Sequence, residues 1–177
     1  ISRTEVDFPS DQHFLVDWGV SDSLPAIDGE INSLIYFPGS ITLKPFRSIK
    51  PADLQADFEI NVLNAIRSVQ AYLPNLKLAN QASILFFSSV AVQQGMPFHA
   101  TIGVNKGAIE GLTRALAAEF APAIRVNCIA LSLTDTKLAG KLTSTPEKID
   151  AIAQKHPMKR IGNVQDVANY AAFVTSD

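Results

Sequence analysis

The chain has 177 residues, 47% of them hydrophobic and 18% charged, which fits one domain over residues 1–177 with an ordinary buried core. A net charge of −2 and a pI near 5.9, with scattered Lys and Arg, argue against nucleic acid as a partner. No apolar run approaches the ~20 residues that cross a bilayer and no signal segment is recognised, so we expect a cytoplasmic protein without a membrane partner. Cys128 is the only cysteine, which excludes a disulfide framework and a cysteine-built metal site; we expect no metal.

The first predicted elements are two short strands and a long helix. His13–Trp18 and Ser33–Phe37 are runs of apolar, aromatic and β-branched residues that are too short for a helix. Leu54–Leu73 follows, and from Phe58 onward its apolar residues recur at helical spacing. Pro74 is expected to end this helix.

The second half of the chain repeats the alternation. Ser83–Ser88 predicts a third strand, Ala100–Phe120 predicts a second long helix that Pro122 ends, and Ile124–Ala130 predicts a fourth strand. Two shorter helices are predicted in the tail, over Pro146–Gln154 and Val164–Val174.

Strands that alternate with helices predict an open parallel α/β sheet with right-handed crossovers and helices on both faces. Such a sheet binds ligands outside the carboxyl ends of its strands. The candidate site residues are therefore those that follow the predicted strands, namely Asp17-Trp18, Tyr36 to Gly39, Ser88-Ser89 and residues 131–136.

Two motifs in the second half carry a family resemblance. Ser-Ser-Val at 88–90 closes a strand, and Asn-Lys-Gly-Ala at 105–108 opens the body of the next helix. Together they resemble the short-chain dehydrogenase/reductase family. In that family a strand-end serine is followed thirteen residues later by the catalytic tyrosine and four residues after that by a lysine. Counting from Ser89 reaches Ile102 and then Lys106, so an isoleucine occupies the tyrosine position.

The resemblance implies a catalytic set of Ser89, Lys106 and Asn61. Asn61, in Glu-Ile-Asn-Val at 59–62, matches the helix asparagine of the family. By this resemblance Ser89 donates a hydrogen bond to the substrate oxygen, Lys106 holds the ribose hydroxyls, and Asn61 anchors a water chain that leads to the lysine.

The same resemblance implies a nicotinamide cofactor. Asp17, with Trp18 after it, falls where an aspartate meets the adenine, and Pro38-Gly39 falls in the turn that the family writes as Asn-Asn-Ala-Gly. Lys106 and Thr136 complete the cofactor contacts, the threonine beside the nicotinamide carboxamide. Arg3 follows the predicted end of a strand, where relatives that prefer NADP place a ligand for the 2′-phosphate, and this favours NADP slightly over NAD. The alternative is that Arg3 is a surface arginine near the terminus without a role in binding.

The resemblance covers essentially all 177 residues and implies a Rossmann-like, doubly wound sheet. The family's first βα unit, with its Gly-rich turn, and its last strand are not in the sequence, so we expect either a fragment or the ordered part of a longer chain. The substrate implied is a small carbonyl or alcohol, under a lid over Lys137 to Arg160. Homodimers or homotetramers are expected through the helices Leu54–Leu73 and Ala100–Phe120.

Ile102 leaves three interpretations open, because its side chain has no proton to exchange. The chain could bind nucleotide but be weak or inactive as a reductase, or another acid could act, with His99 one helical turn away and Tyr36 at the neighbouring strand end. The third interpretation is that the enzyme acts on a substrate that needs no proton at this position. A different class of function is a non-catalytic nucleotide-binding or oligomeric scaffold protein that keeps the fold.

Overall fold

A three-stranded parallel sheet lies at the centre of the computed structural model, which describes residues 1–2, 4–5, 10, 12–17 and 24–176. Its strands are β1 (Ser33–Ile35), β2 (Ala82–Ser89) and β3 (Ile124–Leu131), in the order β1-β2-β3. All of β2 except its last residue is buried, as expected for the middle strand of a sheet that is covered on both faces.

Helices fill both connections between the strands. Between β1 and β2 lie α1 (Pro51–Phe58), a π-helical segment (Glu59–Leu63) and α2 (Asn64–Leu76). Between β2 and β3 lie α3 (Ala91–Gln94) and α4 (Ala100–Phe120). After β3 come α5 (Pro146–Ala153) and α6 (Val164–Thr175), and 3₁₀ turns lie at Phe46–Ser48 and Lys137–Ala139.

The side chains of β2 alternate between two hydrophobic cores. Ala82, Ile84 and Phe86 pack in the core that α2 and α4 share with the sheet. Leu85 and Phe87 pack on the opposite face with residues of α6. Each large side chain that is removed from water contributes about 1.5–3 kcal/mol to the stability of the fold. Because helices cover both faces of a parallel sheet, the predicted α/β architecture is confirmed.

The predicted strands Ser83–Ser88 and Ile124–Ala130 and the helix Ala100–Phe120 are confirmed within one residue at each end. The predicted strand Ser33–Phe37 is shorter in the structure, since β1 ends at Ile35. Beyond it the Phe37 ring stacks on a ring from β2.

Pro74 does not end its helix, contrary to the sequence-based prediction. It lies inside α2, which continues to Leu76. Proline removes its own N–H from the helix ladder, and its ring crowds the carbonyl four residues earlier, but both effects are local. The next turn still closes through the Lys77 N–H, which donates to the Leu73 carbonyl at 3.1 Å, and the fully buried Leu76 anchors the helix end in the core.

The predicted strand His13–Trp18 is also corrected over its described part. Within residues 12–17, Leu15 forms an isolated parallel bridge with Ser2, and the ladder has no second pair there. The apolar pattern reflects burial of Val16 rather than a regular strand. Trp18 lies outside the described residues.

The two tail helices are confirmed, with α5 ending one residue earlier and α6 one residue later than predicted. Their starts have side-chain caps: the Thr145 hydroxyl accepts from Lys148 N and the Asn163 side chain accepts from Gln165 N. Among the described helices, none is long and apolar enough to cross a membrane.

Candidate functional site

Gly39, in the loop after β1, marks the point where two predicted site residues meet. A Cβ atom on Gly39 would lie 3.2 Å from Asn61 Oδ1 and 3.7 Å from Lys106 Nζ. The backbone turn, the π-helical segment and α4 therefore converge on one small space. Any side chain at position 39 would fill part of it, so the glycine keeps this space open.

Asn61 lies in the π-helical segment and is 1% exposed. Its Nδ2 donates to Ser40 Oγ at 3.0 Å and to the Asp57 carbonyl at 2.8 Å. Its Oδ1 is buried and has no hydrogen-bond partner among the described residues. A π-bulge is frequent at functional sites, because the wider turn redirects a side chain and frees backbone groups.

Lys106 is half-buried on α4. Burial lowers the pKa of its ammonium group, and the nearby Cys128 opposes that shift. Removing a charged group from water disfavours the charged form. The lysine is thus a partly desolvated cation held beside Gly39.

The paired serines at the end of β2 connect the strand to the helices that follow. Ser88 Oγ donates to Glu110 Oε1 at 2.7 Å and lies 3.4 Å from the Lys106 carbonyl oxygen, so it ties β2 to α4. Ser89 is half-buried, and its hydroxyl accepts from Ala91 N at 3.2 Å, which caps the next turn. Ser89 therefore lies one residue beyond the point where the strand contacts the lysine-bearing helix.

Ile102 lies one turn before Lys106 on α4 and is 5% exposed. The start of this helix is fixed by Thr101, whose hydroxyl donates to the Thr42 carbonyl at 2.8 Å. The isoleucine is thus packed against protein rather than exposed.

Both alternative acids have short hydrogen bonds to nearby backbone carbonyls. The Tyr36 hydroxyl donates to the Ile60 carbonyl at 2.6 Å, and burial raises the pKa of Tyr36 far above its usual value. His99 precedes α4, and its Nδ1 lies 2.7 Å from the Pro97 carbonyl oxygen. That carbonyl can only accept, so the proton on Nδ1 is engaged locally.

Of the remaining predicted cofactor residues, Pro38, Thr136 and Asp17 are described by the structure and two others are not. Pro38 is half-buried directly before Gly39. Thr136 is exposed and caps the 3₁₀ turn after β3 by accepting from Ala139 N. Asp17 is exposed, and Arg3 and Trp18 lie outside the described residues.

Sequence reasoning missed Ser40 and Asp57. The Ser40 hydroxyl donates to Asp57 Oδ1 at 2.6 Å, which links both residues to Asn61. The spacing held a signal, because Asp57 and Asn61 are four residues apart and therefore share a helix face. Within the described ranges, no three His, Cys, Asp or Glu residues form a group that could hold a metal ion.

Parallel α/β topology with a polar site outside the strand ends defines the nucleotide-binding class of open-sheet folds. A family model described as enoyl-(acyl carrier protein) reductase matches residues 14–177. The chain belongs to the short-chain dehydrogenase/reductase family.

Individual relatives agree with this assignment. The chain is 38% identical over 133 residues to the short-chain dehydrogenase/reductase SDRA of Arabidopsis thaliana, a match that covers 75% of this chain and 52% of that protein. It superposes on a short-chain dehydrogenase/reductase from Brucella melitensis, described as a glucose/ribitol dehydrogenase, with a TM-score of 0.77, 30% identity and coverage of 83% and 58%. A gluconate 5-dehydrogenase from Burkholderia cenocepacia, solved with NADP and tartrate, matches with a TM-score of 0.78, 25% identity and coverage of 84% and 58%. The chain spans about half the length of the curated relatives it matches.

Proposed function

We propose that this chain belongs to an NAD(P)-dependent short-chain oxidoreductase that moves hydride between a nicotinamide ring and a carbonyl or alcohol carbon. The observation that carries the proposal is the convergence of Gly39, Asn61 and Lys106 on one space outside the strand ends. The solved relative that contains NADP supports the choice of cofactor class.

The residues around this space fit a dinucleotide. Gly39 leaves room for a close approach that a Cβ would block, and Lys106 offers three N–H donors from a partly desolvated cation. When bound, the nicotinamide supplies the hydride chemistry, and the protein supplies position and proton handling. In this proposal Lys106 binds the ribose hydroxyls, Ser89 donates to the substrate oxygen, and Asn61 holds a water that leads to the lysine.

Ile102 limits the chemistry of this site. General acid–base groups contribute typically 10²–10⁴-fold, so a site with only the tyrosine missing is slowed rather than empty. The Tyr36 hydroxyl already donates to the Ile60 carbonyl, which favours the interpretation in which Tyr36 does not replace it. We therefore propose a cofactor-binding protein with weak carbonyl reduction.

A second candidate reaction is the reduction of an activated carbon–carbon double bond. Hydride from the nicotinamide then adds to one carbon, and a proton from water is delivered to the neighbouring carbon rather than to an oxygen beside Ile102. The match to a model described as enoyl-(acyl carrier protein) reductase favours this candidate. Single-turnover tests with a panel of aldehydes, ketones and enoyl thioesters separate the two reactions.

The proposed cofactor site is tested by titrating the intact protein with NADPH and NADH in a calorimeter. We expect saturable binding of at least one, with NADPH slightly preferred. Lys106→Ala should weaken it roughly tenfold or more, since it removes a hydrogen bond to a charged group. Lys77→Ala, an exposed lysine at the opposite end of β2, is the matched control. No heat change with either nucleotide up to ~1 mM would reject the proposal.

A non-catalytic scaffold remains the alternative from another class. Such a role needs the helix faces but not the lysine, so Lys106→Ala should leave assembly unchanged. We propose assembly through the faces of α1, the π-helical segment and α4. There Leu54, Phe58, Leu63 and Val104 line a mostly apolar cavity together with Gln55 and Glu59, and Val104 is 53% exposed.

A further inference from the structure

A chain of polar side chains is hydrogen-bonded to the amide nitrogen of Asn61. It begins at Asp57, which is 4% exposed and one helical turn before Asn61. Asp57 Oδ1 accepts from Ser40 Oγ at 2.6 Å, and Ser40 Oγ accepts from Asn61 Nδ2 at 3.0 Å. Neither of these contacts is needed to close the helix, because both join side-chain atoms.

The chain fixes which way the Asn61 amide points. A backbone carbonyl can only accept, so the bond to the Asp57 carbonyl requires the NH₂ group of Asn61 on that side. The second hydrogen of the same NH₂ group is directed to Ser40, whose own proton is given to Asp57. Both N–H donors of the amide are therefore used, and Oδ1 is turned toward Gly39.

The oxygen that is turned this way shares its space with the lysine. Asn61 Oδ1 and Lys106 Nζ lie 3.2 Å and 3.7 Å from the same point beside Gly39, and Oδ1 has no direct hydrogen-bond partner among the described residues. A buried acceptor without a donor is costly, and an ordered water commonly satisfies such a group. An acceptor in this place favours the charged form of the lysine.

We propose that Asp57 and Ser40 are positioning residues that hold the Asn61 side chain with its oxygen toward Lys106. The inference rests on the proposed function, since the lysine is its proposed cofactor ligand. Asp57 and Ser40 touch neither substrate nor cofactor in this account; they act through the orientation of one amide. If Ser40 is removed, the amide loses one of its two anchors and turns its NH₂ group toward the ammonium for part of the time.

The test measures the pKa of Lys106 in the cofactor-free intact protein. Acetylation of Lys106 is followed against pH by peptide mass spectrometry. Ser40→Ala removes no charge, and we expect it to lower the pKa of Lys106 by up to about two units, the size of one hydrogen bond to a charged group. Ser40→Thr retains the hydroxyl and should restore the original value.

Two further variants separate position from charge. Asp57→Asn keeps an acceptor for Ser40 and should give a smaller shift than Asp57→Leu, which keeps none. Asp53→Asn removes an acid one turn earlier, where the carboxyl binds Lys44, and should have no effect. Thermal unfolding of each variant shows which are folded, and Ser40→Ala, in a loop, is the variant on which the outcome depends.

The proposal is overturned if the pKa of Lys106 in folded Ser40→Ala equals that in the unmodified protein. The hydrogen bonds of Ser40 would then serve the fold only. An equal shift in Asp57→Asn and Asp57→Leu would also overturn it and indicate an effect of charge. Because no cofactor is present, a failure of NADPH binding would reject the proposed function without affecting this measurement.

Discussion

Ile102 and Lys106 occupy the same face of α4, one turn apart, yet their surroundings differ. Ile102 is 5% exposed and fully aliphatic, whereas Lys106 extends to the space beside Gly39. The packed environment of Ile102 means that the position has been filled with hydrocarbon rather than left as a gap. Restoring a tyrosine there therefore changes packing as well as chemistry.

Ile102→Tyr is predicted to raise carbonyl reduction by roughly 10²-fold or more if the rest of the site is intact. The larger side chain should also lower the free energy of unfolding by about 1–3 kcal/mol, because a buried site is overpacked. Ile102→Phe is the matched control, since it adds the ring without the hydroxyl. Equal rates for the two variants would show that a proton donor at this position is not what the site lacks.

Tyr36→Phe is predicted to reduce stability by about 1–3 kcal/mol and to leave cofactor affinity unchanged. The lost hydroxyl leaves the Ile60 carbonyl without its 2.6 Å donor. Because burial raises the pKa of Tyr36 in the folded protein, its stabilisation is fully present below the unfolded value near 10 and is lost as pH rises through the folded value.

Urea unfolding of both proteins at neutral pH and above pH ~10 checks this prediction. A loss of turnover in folded Tyr36→Phe at neutral pH, with unchanged stability, would instead support Tyr36 as the missing acid.

The spacing of apolar residues predicted best the strands and helices that pack in the core. β2 and α4 were predictable to within one residue, because β2 is buried on both faces and α4 is long and buries one face against the sheet. Pro74 was misleading, since proline costs a helix only one ladder bond near its end. The π-helical turn around Asn61 was not predictable, because its wider hydrogen-bonding pattern leaves no distinct spacing over five residues.

The paired serines at the end of β2 are predicted to have separate roles. Ser88→Ala should lower the free energy of unfolding by about 1 kcal/mol, since it removes the hydrogen bond that joins β2 to Glu110 on α4. Ser89→Ala should reduce turnover more than stability. Thermal unfolding and single-turnover rates measured on both variants separate the two effects. If Ser88→Ala instead reduces turnover and Ser89→Ala reduces stability, Ser88 is the residue that faces the substrate.

For the whole molecule, the alternation of strands and helices predicted the architecture. Asn61 and Lys106 were placed in one site only through the family resemblance, because they lie on different helices far apart in the sequence. The sequence did not predict Ser40 and Asp57. Their contact joins a loop to a helix seventeen residues later, and such pairing follows from tertiary packing rather than from a local pattern. Arg3 and Trp18 remain predictions, since they lie outside the described residues.

Assembly is predicted to depend on the face that carries Val104. Val104→Glu places a charge in the apolar cavity lined by Leu54 and Phe58, and it should shift the protein toward monomer in size-exclusion chromatography with light scattering. Val164→Glu, at a similarly exposed valine on α6, is the control. Dissociation by the control alone would place the interface on the other face of the sheet.

The most direct test of the central claim is cofactor protection of Lys106 from acetylation, read residue by residue by mass spectrometry. Saturating NADPH or NADH should slow acetylation of Lys106 several-fold and leave the exposed Lys77 unchanged. The account is contradicted if Lys106 is acetylated at the same rate with and without saturating nucleotide.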